Sequence, residues 1–129
     1  MKKLISVMLI LVLVLSVGTM AFADKNAVTV TKSPTDETVK VGGNAYFVAK
    51  YNNANLARWH FVSPDGTTDV QYDEAEKLFP GVEIIHGEYS TMQLRNITKD
   101  LNGWKVYCRY SNRAGYTDTA MATITVTDS

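Results

Sequence analysis

Cys108 is the single cysteine of the 129-residue chain, and His60 and His86 are its two histidines. A thiolate becomes a nucleophile when a histidine or another cation stands beside it, and paired imidazoles with carboxylates can hold a metal ion. The spacing argues against both chemistries. His60 follows Trp59 in a run with strand character, so alternation sends it to the face opposite Trp59, away from Cys108. His86 stands just beyond Ile84-Ile85 near a turn, and the two imidazoles form neither a His-x-His nor a His-x-x-x-His pair. On the inner face of a strand, Cys108 is a small hydrophobe with a raised pKa. The chain has no phosphate-cradling glycine loop, no Gly-x-Ser-x-Gly elbow and no His-Glu-x-x-His. These residues predict a protein that is not an enzyme and carries no cofactor and no metal.

Recognition chemistry is better represented. Tyr51-Asn52-Asn53-Ala54-Asn55 and Ser111-Asn112-Arg113-Ala114-Gly115-Tyr116 are two Asn-rich stretches bordered by tyrosine. Tyrosine gives contact area at low entropic cost, and Asn and Arg give adaptable hydrogen bonds, the composition of binding loops. The competing explanation is that Asn and Gly only make turns here while the tyrosines pack at strand ends.

The elements that carry these residues are short stretches rich in Val, Thr, Tyr, Phe and Ile, separated by Gly, Pro, Asn and Asp, which is the pattern of an all-β sandwich. Strands are expected over residues 28–31, 38–41, 44–50, 56–61, 68–71, 82–85, 91–95, 104–110 and 117–126. Pro34 cannot donate to a ladder and splits the first strand, and Ser63-Pro64-Asp65-Gly66 is a turn sequence. Residues 72–79 break the pattern with good helix formers, acids in the first turn and a Pro80-Gly81 stop, so they predict a short helix. Leu78 and Phe79 are expected to pack inward while Asp73, Glu74, Glu76 and Lys77 face water. Asn96-Ile97-Thr98 matches a glycosylation pattern but reads most simply as a strand end.

The first 23 residues follow different rules. Met1-Lys2-Lys3, an apolar run from Leu4 to Val17 and Ala21-Phe22-Ala23 have the form of a secretory leader cleaved after Ala23. The run is shorter than the roughly 20 residues of a membrane span. Residues 24–129 then form one domain, with no stable membrane span once the leader is gone. The chain carries 13 basic and 13 acidic residues, and loss of Lys2 and Lys3 leaves 11 against 13, a net charge of minus two. Nucleic acid is not an expected partner, because no basic stripe is present. No sorting signal or lipid-acceptor cysteine is recognised, so the expected location is secreted, extracellular or at the cell surface, with the periplasm as a variant.

Three spacings resemble those of immunoglobulin-like domains, most closely the ones in bacterial surface and secreted proteins. Gly43-Asn44-Ala45-Tyr46-Phe47-Val48-Ala49 looks like their second strand, and Trp59 lies ten residues after Ala49, where such domains keep a core tryptophan. Asp100-Leu101-Asn102-Gly103-Trp104-Lys105-Val106-Tyr107-Cys108 resembles the approach to their second cysteine. The resemblance implies a sandwich of two antiparallel sheets, here with one helical insertion, that works by binding or adhesion. In the family's pattern the first cysteine falls on Ala49, so the sheet-to-sheet disulfide cannot form. A bridge enclosing about 60 residues would contribute roughly 4 kcal/mol, so packing must supply the equivalent. Alternation places Phe47, Ala49, Trp59, Leu94, Ile97, Val106, Cys108 and Ile124 between the sheets. Val106 stands where these sandwiches often place a corner tyrosine, which leaves that corner absent unless Trp104 or Tyr107 substitutes.

The same topology brings the two Asn-rich loops to one end, so Tyr51, Asn52, Asn53, Asn55, Asn112, Arg113 and Tyr116 are the candidate ligand-binding residues. The ligand is expected to be a protein or a glycan. A carbohydrate-binding module would use Tyr51, Tyr116 or Tyr72 as stacking platforms, with Tyr89 a further exposed aromatic. A structural unit of an extracellular complex would instead add strands edge to edge. The oligomeric state and the ligand's identity stay open at this level.

Overall fold

A computed structural model describes residues 26–128, and the leader expected over residues 1–23 lies outside them. The chain forms strands β1 (Thr29–Lys32), β2 (Glu37–Lys40), β3 (Ala45–Val48), β4 (Lys50–Asn52), β5 (Leu56–Val62) and β6 (Asp69–Gln71). A helix, α1 (Tyr72–Leu78), precedes β7 (Glu83–Ile85), β8 (Thr91–Arg95), β9 (Lys105–Asn112), β10 (Gly115–Asp118) and β11 (Ala122–Thr127). One layer is the ladder β2-β11-β9-β5-β6, with β10 also paired to β9. The facing layer comprises β3-β8-β7 and the pair β1-β4.

Breaks in the strands have local causes. Pro34 falls between β1 and β2, and the chain changes layers there: β1 pairs β4, whereas β2 runs parallel to β11. Ser33 Oγ accepts from Ala120 N, and Asp36 Oδ1 accepts from Thr123 N, so polar side chains hold the crossing. The single strand expected over 44–50 is divided at Ala49, whose N–H still reaches Ser90 O at 3.0 Å and keeps the two parts in line. The strand expected over 117–126 is likewise divided. Thr119 Oγ1 accepts from Cys108 N and donates to Ala120 O, which draws the backbone between β10 and β11 out of a regular ladder.

Period-two alternation sorts the side chains. In the β5-β9 ladder the pairs Ala57↔Tyr110, Trp59↔Cys108 and Phe61↔Val106 face inward, and Leu56↔Ser111, Arg58↔Arg109 and His60↔Tyr107 face outward. Phe47, Ala49, Trp59, Leu94, Ile97, Val106, Cys108 and Ile124 are all buried between the layers, joined by Met92, Leu101 and Tyr110. The Phe47 and Trp59 rings meet across the layers at 6.3 Å in a tilted arrangement.

The helix forms where expected but presents a different residue to the core. Ala75 is fully buried and Phe79 nearly so, whereas Leu78, expected to pack inward, is 47% exposed. The cause is the exit of the chain: Phe79 leaves helical geometry at φ −123° and turns its ring toward Phe61 and Trp104, with Leu78 left on the outer side. A 3-10 turn at Lys99–Leu101, not legible in the sequence, buries Leu101 below β9. Tyrosine is absent from that corner. Asn102 Oδ1 accepts from Val126 N and Gly103 N donates to Ile124 O, which fastens the corner to β11, while Tyr107 points to the opposite face.

Trp59 also fixes the turn between β7 and β8. Its backbone N–H donates to Gly87 O at 2.8 Å and its indole Nε1 donates to Tyr89 O at 2.6 Å. Tyr72 closes over Gly87 so tightly that an added Cβ would lie 2.2 Å from the Tyr72 ring. Gly87→Ala is therefore expected to destabilise by about 1–3 kcal/mol, seen as a lower urea midpoint at unchanged slope. In a Tyr72→Ala background the same change should cost less, because the ring it strikes is gone and only the Cβ of residue 72, 2.7 Å away, is left to give.

Candidate binding surface

Three connecting segments meet at one end of the sandwich: 52–55 runs from the last residue of β4 to β5, 86–90 joins β7 to β8, and 112–115 turns from the last residue of β9 to the first of β10. Asn112 knits this end together. Its Nδ2 donates to Asn26 O and Asn53 O, and its Oδ1 accepts from Ala114 N at 2.7 Å. Asn55 N donates to Ser111 O, and Asn53 takes a left-handed φ of 69°, a conformation Asn tolerates. The chain enters the fold here too, since Thr117 Oγ1 donates to Val28 O.

Two depressions open on this end. The first, about 560 Å³, is lined by Tyr51, Leu56, His86, Glu88 and Tyr89 among others. The second, about 490 Å³, is lined chiefly by Asn26, Asn53, Asn55, Asn112 and Arg113. Asn55 belongs to both rims. The Tyr51 ring lies tilted against the buried Tyr110 ring at 4.5 Å and leaves part of its surface open. Of the candidate residues, Tyr51, Asn53, Asn55, Asn112 and Arg113 are thus brought together, Asn52 stands exposed beside them at the end of β4, and Tyr116 is placed elsewhere. The contribution of the 86–90 turn was missed by sequence reasoning apart from Tyr89. The signal that could have found it is the Gly87 after Ile84-Ile85-His86, a turn glycine between two strands.

Tyr116 belongs to a polar cluster on the outer face of the β10-β9-β5-β6 sheet. The Arg109 guanidinium lies 4.2 Å from its ring centroid and makes a two-pronged contact with Asp118 at 2.8 and 3.0 Å. Asp118 holds the Arg109 pKa above its usual value, and its charge offsets the like-charge pairing of Arg109 with Arg58. Alongside, His60 stacks flat on Tyr107 at 4.8 Å, and Asp69 binds both: Oδ1 to His60 Nδ1 at 2.9 Å, Oδ2 accepting from Tyr107 at 2.7 Å. His60 is thus outward-facing but covered. Tyr72, the third proposed platform, is half-buried against Gly87, and burial followed by the neighbouring Glu88 raises its pKa.

Cys108 is fully buried, and its burial pushes the thiol up to about 12. Among the described residues no group of three or more His, Cys, Asp and Glu is placed to hold a metal ion. No helix among them is long and apolar enough to cross a membrane.

Two facing layers, antiparallel except for the β2-β11 pair, a first strand that changes layer at a proline and a core tryptophan opposite Cys108 define an immunoglobulin-like β-sandwich. Solved structures agree on the fold. The chain is similar to titin domain M4, at 19% identity, TM-score 0.55, over 78% of this chain and 96% of that one. It is also similar to the titin domains Z1Z2 in complex with telethonin, at 20% identity and TM-score 0.58, over 81% of this chain and 50% of that one. A third is Dpr1 IG1 bound to DIP-eta IG1, at 14% identity and TM-score 0.53, over 81% of this chain and all of that one. No family model and no curated protein matches the sequence.

Burial also sets the alkaline behaviour. Cys108, Tyr107 and Tyr110 all have raised pKa values, each chiefly through desolvation. The folded state keeps these protons after the unfolded chain has released them, so their contribution is complete below the unfolded values and is lost as pH rises. Denaturant midpoints are expected to fall from pH 9, the ordinary thiol value, toward pH 12. Cys108→Ala should be less stable throughout but show a shallower fall at the start of that range.

Proposed function

We propose that this chain is a secreted, non-enzymatic immunoglobulin-like binding module of a bacterial cell surface or extracellular space, exported by the leader over residues 1–23. Its ligand is received at the end formed by the 52–55, 86–90 and 112–115 turns. The observation that carries this reading is the convergence of Tyr51, Asn53, Asn55, Asn112, Arg113 and Tyr89 on two adjoining depressions. The turns that bear them are held by hydrogen bonds to core strands, so little order need be gained on binding. The solved neighbours bound to a protein, titin Z1Z2 with telethonin and Dpr1 with DIP-eta, support a binding or assembly role for this fold.

The reading is tested with the purified chain and its variants on immobilised bacterial envelopes, extracellular matrix proteins and polysaccharides. Arg113→Ala and Asn55→Ala are expected to weaken retention about tenfold, roughly 1.4 kcal/mol. Lys40→Ala, at the far end of the sandwich, should leave it unchanged. Retention that ignores the loop variants, or no retention by a folded protein on any of these surfaces, would overturn the proposal.

A further inference from the structure

The two depressions at the loop end differ in chemistry and adjoin at one residue. On one side of Asn55 the rim is aromatic and apolar: Tyr89 is 57% exposed, Leu56 52% and Tyr51 41%. On the other side it is made of side-chain amides, with Arg113 as its cation. A carboxamide donates and accepts at neighbouring atoms, as a pair of adjacent hydroxyl groups does. Tyrosine rings offer flat apolar faces beside a polar hydroxyl. Each depression lies within the roughly 300–1,000 Å³ of small-ligand sites, and the two share Asn55 in their linings.

From this arrangement we infer that the two depressions form one groove that receives a neutral oligosaccharide, with pyranose faces against Tyr51 and Tyr89 and hydroxyl groups on Asn55 and Arg113. The inference rests on the loop end being the binding surface and names the ligand class for it. Neutrality follows from the charges: Arg113 in one half is opposed by Glu88 in the other, so a polyanion would meet a carboxylate and a polycation a guanidinium. An oligomer follows from the two depressions flanking Asn55, which a single sugar ring cannot fill together. Asn112 and Asn53 are positioning residues: Asn112 uses its donor and acceptor atoms on Asn26, Asn53 and Ala114, and Asn53 Nδ2 donates to Ala27 O. The groove is stiff on its aromatic side, where Trp59 holds the carbonyls of Gly87 and Tyr89. Tyr116, its ring occupied by Arg109, and the half-buried Tyr72 are not platforms, although both are tyrosines of the same chain.

Calorimetric titration of the full chain with neutral oligomers of glucose and of N-acetylglucosamine, and with an acidic polysaccharide as contrast, tests the inference. Binding to a neutral series is expected to tighten with oligomer length and then level off, and to change little with salt. Tyr89→Ala, whose ring contact within the chain is to His86, should weaken it about tenfold, roughly 1.4 kcal/mol. Asn55→Ala should do the same, and Tyr46→Ala, an exposed tyrosine on the outer face of β3, should not. Tyr51→Ala is compared only after its melting temperature shows that the contact with Tyr110 is dispensable. Binding of the acidic polymer alone, lost with Arg113→Ala and with salt, would overturn the inference. So would absence of all sugar binding in a protein whose loop variants still lose retention on protein-coated surfaces, a result that leaves the loop-end reading standing. Sugar binding indifferent to Tyr89 and Asn55 would remove both.

Discussion

Trp59 sits where the demands on this sandwich meet. Its ring fills the space between the layers against Phe47, its strand position faces Cys108, and its two N–H groups capture the carbonyls of Gly87 and Tyr89. A buried indole N–H without a partner would cost about 1–3 kcal/mol, so the Tyr89 carbonyl must stay where it is. That requirement makes the turn between β7 and β8 part of the core rather than a surface loop. The Tyr72 ring, pressed on Gly87, carries the constraint outward to α1.

Packing takes the place of a sheet-to-sheet bridge. Ala49 and Cys108 are both fully buried, in a core that also holds Tyr110, Phe61, Met92 and Leu101. Each large side chain removed from water contributes on the order of 1.5–3 kcal/mol, so two or three well-fitted residues equal the bridge that is missing. Polar fastenings act at the margins: Asn102 at the corner below β9, Ser33 and Asp36 where the first strand crosses layers, and Asn112 at the loop end. Because these fastenings hold backbone rather than one another, each loop keeps its shape while presenting side chains outward.

Much of this was legible in the residues. Alternation and turn chemistry gave the strands, Pro34 gave the break between β1 and β2, and Pro80-Gly81 gave the end of α1. The division at Thr119 was not legible, because it comes from hydrogen bonds to Cys108 and Ser33, residues remote in sequence, and nothing in the residues around Ala49 marks the break there. Leu78 was misplaced because a helix period does not say where the chain leaves the helix. His60 was rightly turned away from Cys108, but alternation alone could not show that Tyr107 and Asp69 cover it. At the loop end, composition singled out the two Asn-rich segments. The share of the 86–90 turn appears only once Trp59 has drawn it in.

The 86–90 turn is bolted to the core through Trp59. Native-state hydrogen exchange of the Trp59 indole N–H, followed by NMR beside the amides of Trp59, Val106 and Cys108, measures it directly. If the turn opens only when the sandwich unfolds, the indole proton exchanges with the same free energy as those core amides. An indole proton that exchanges as freely as the amides of the 52–55 turn would show that the turn opens on its own, and the claim would fall.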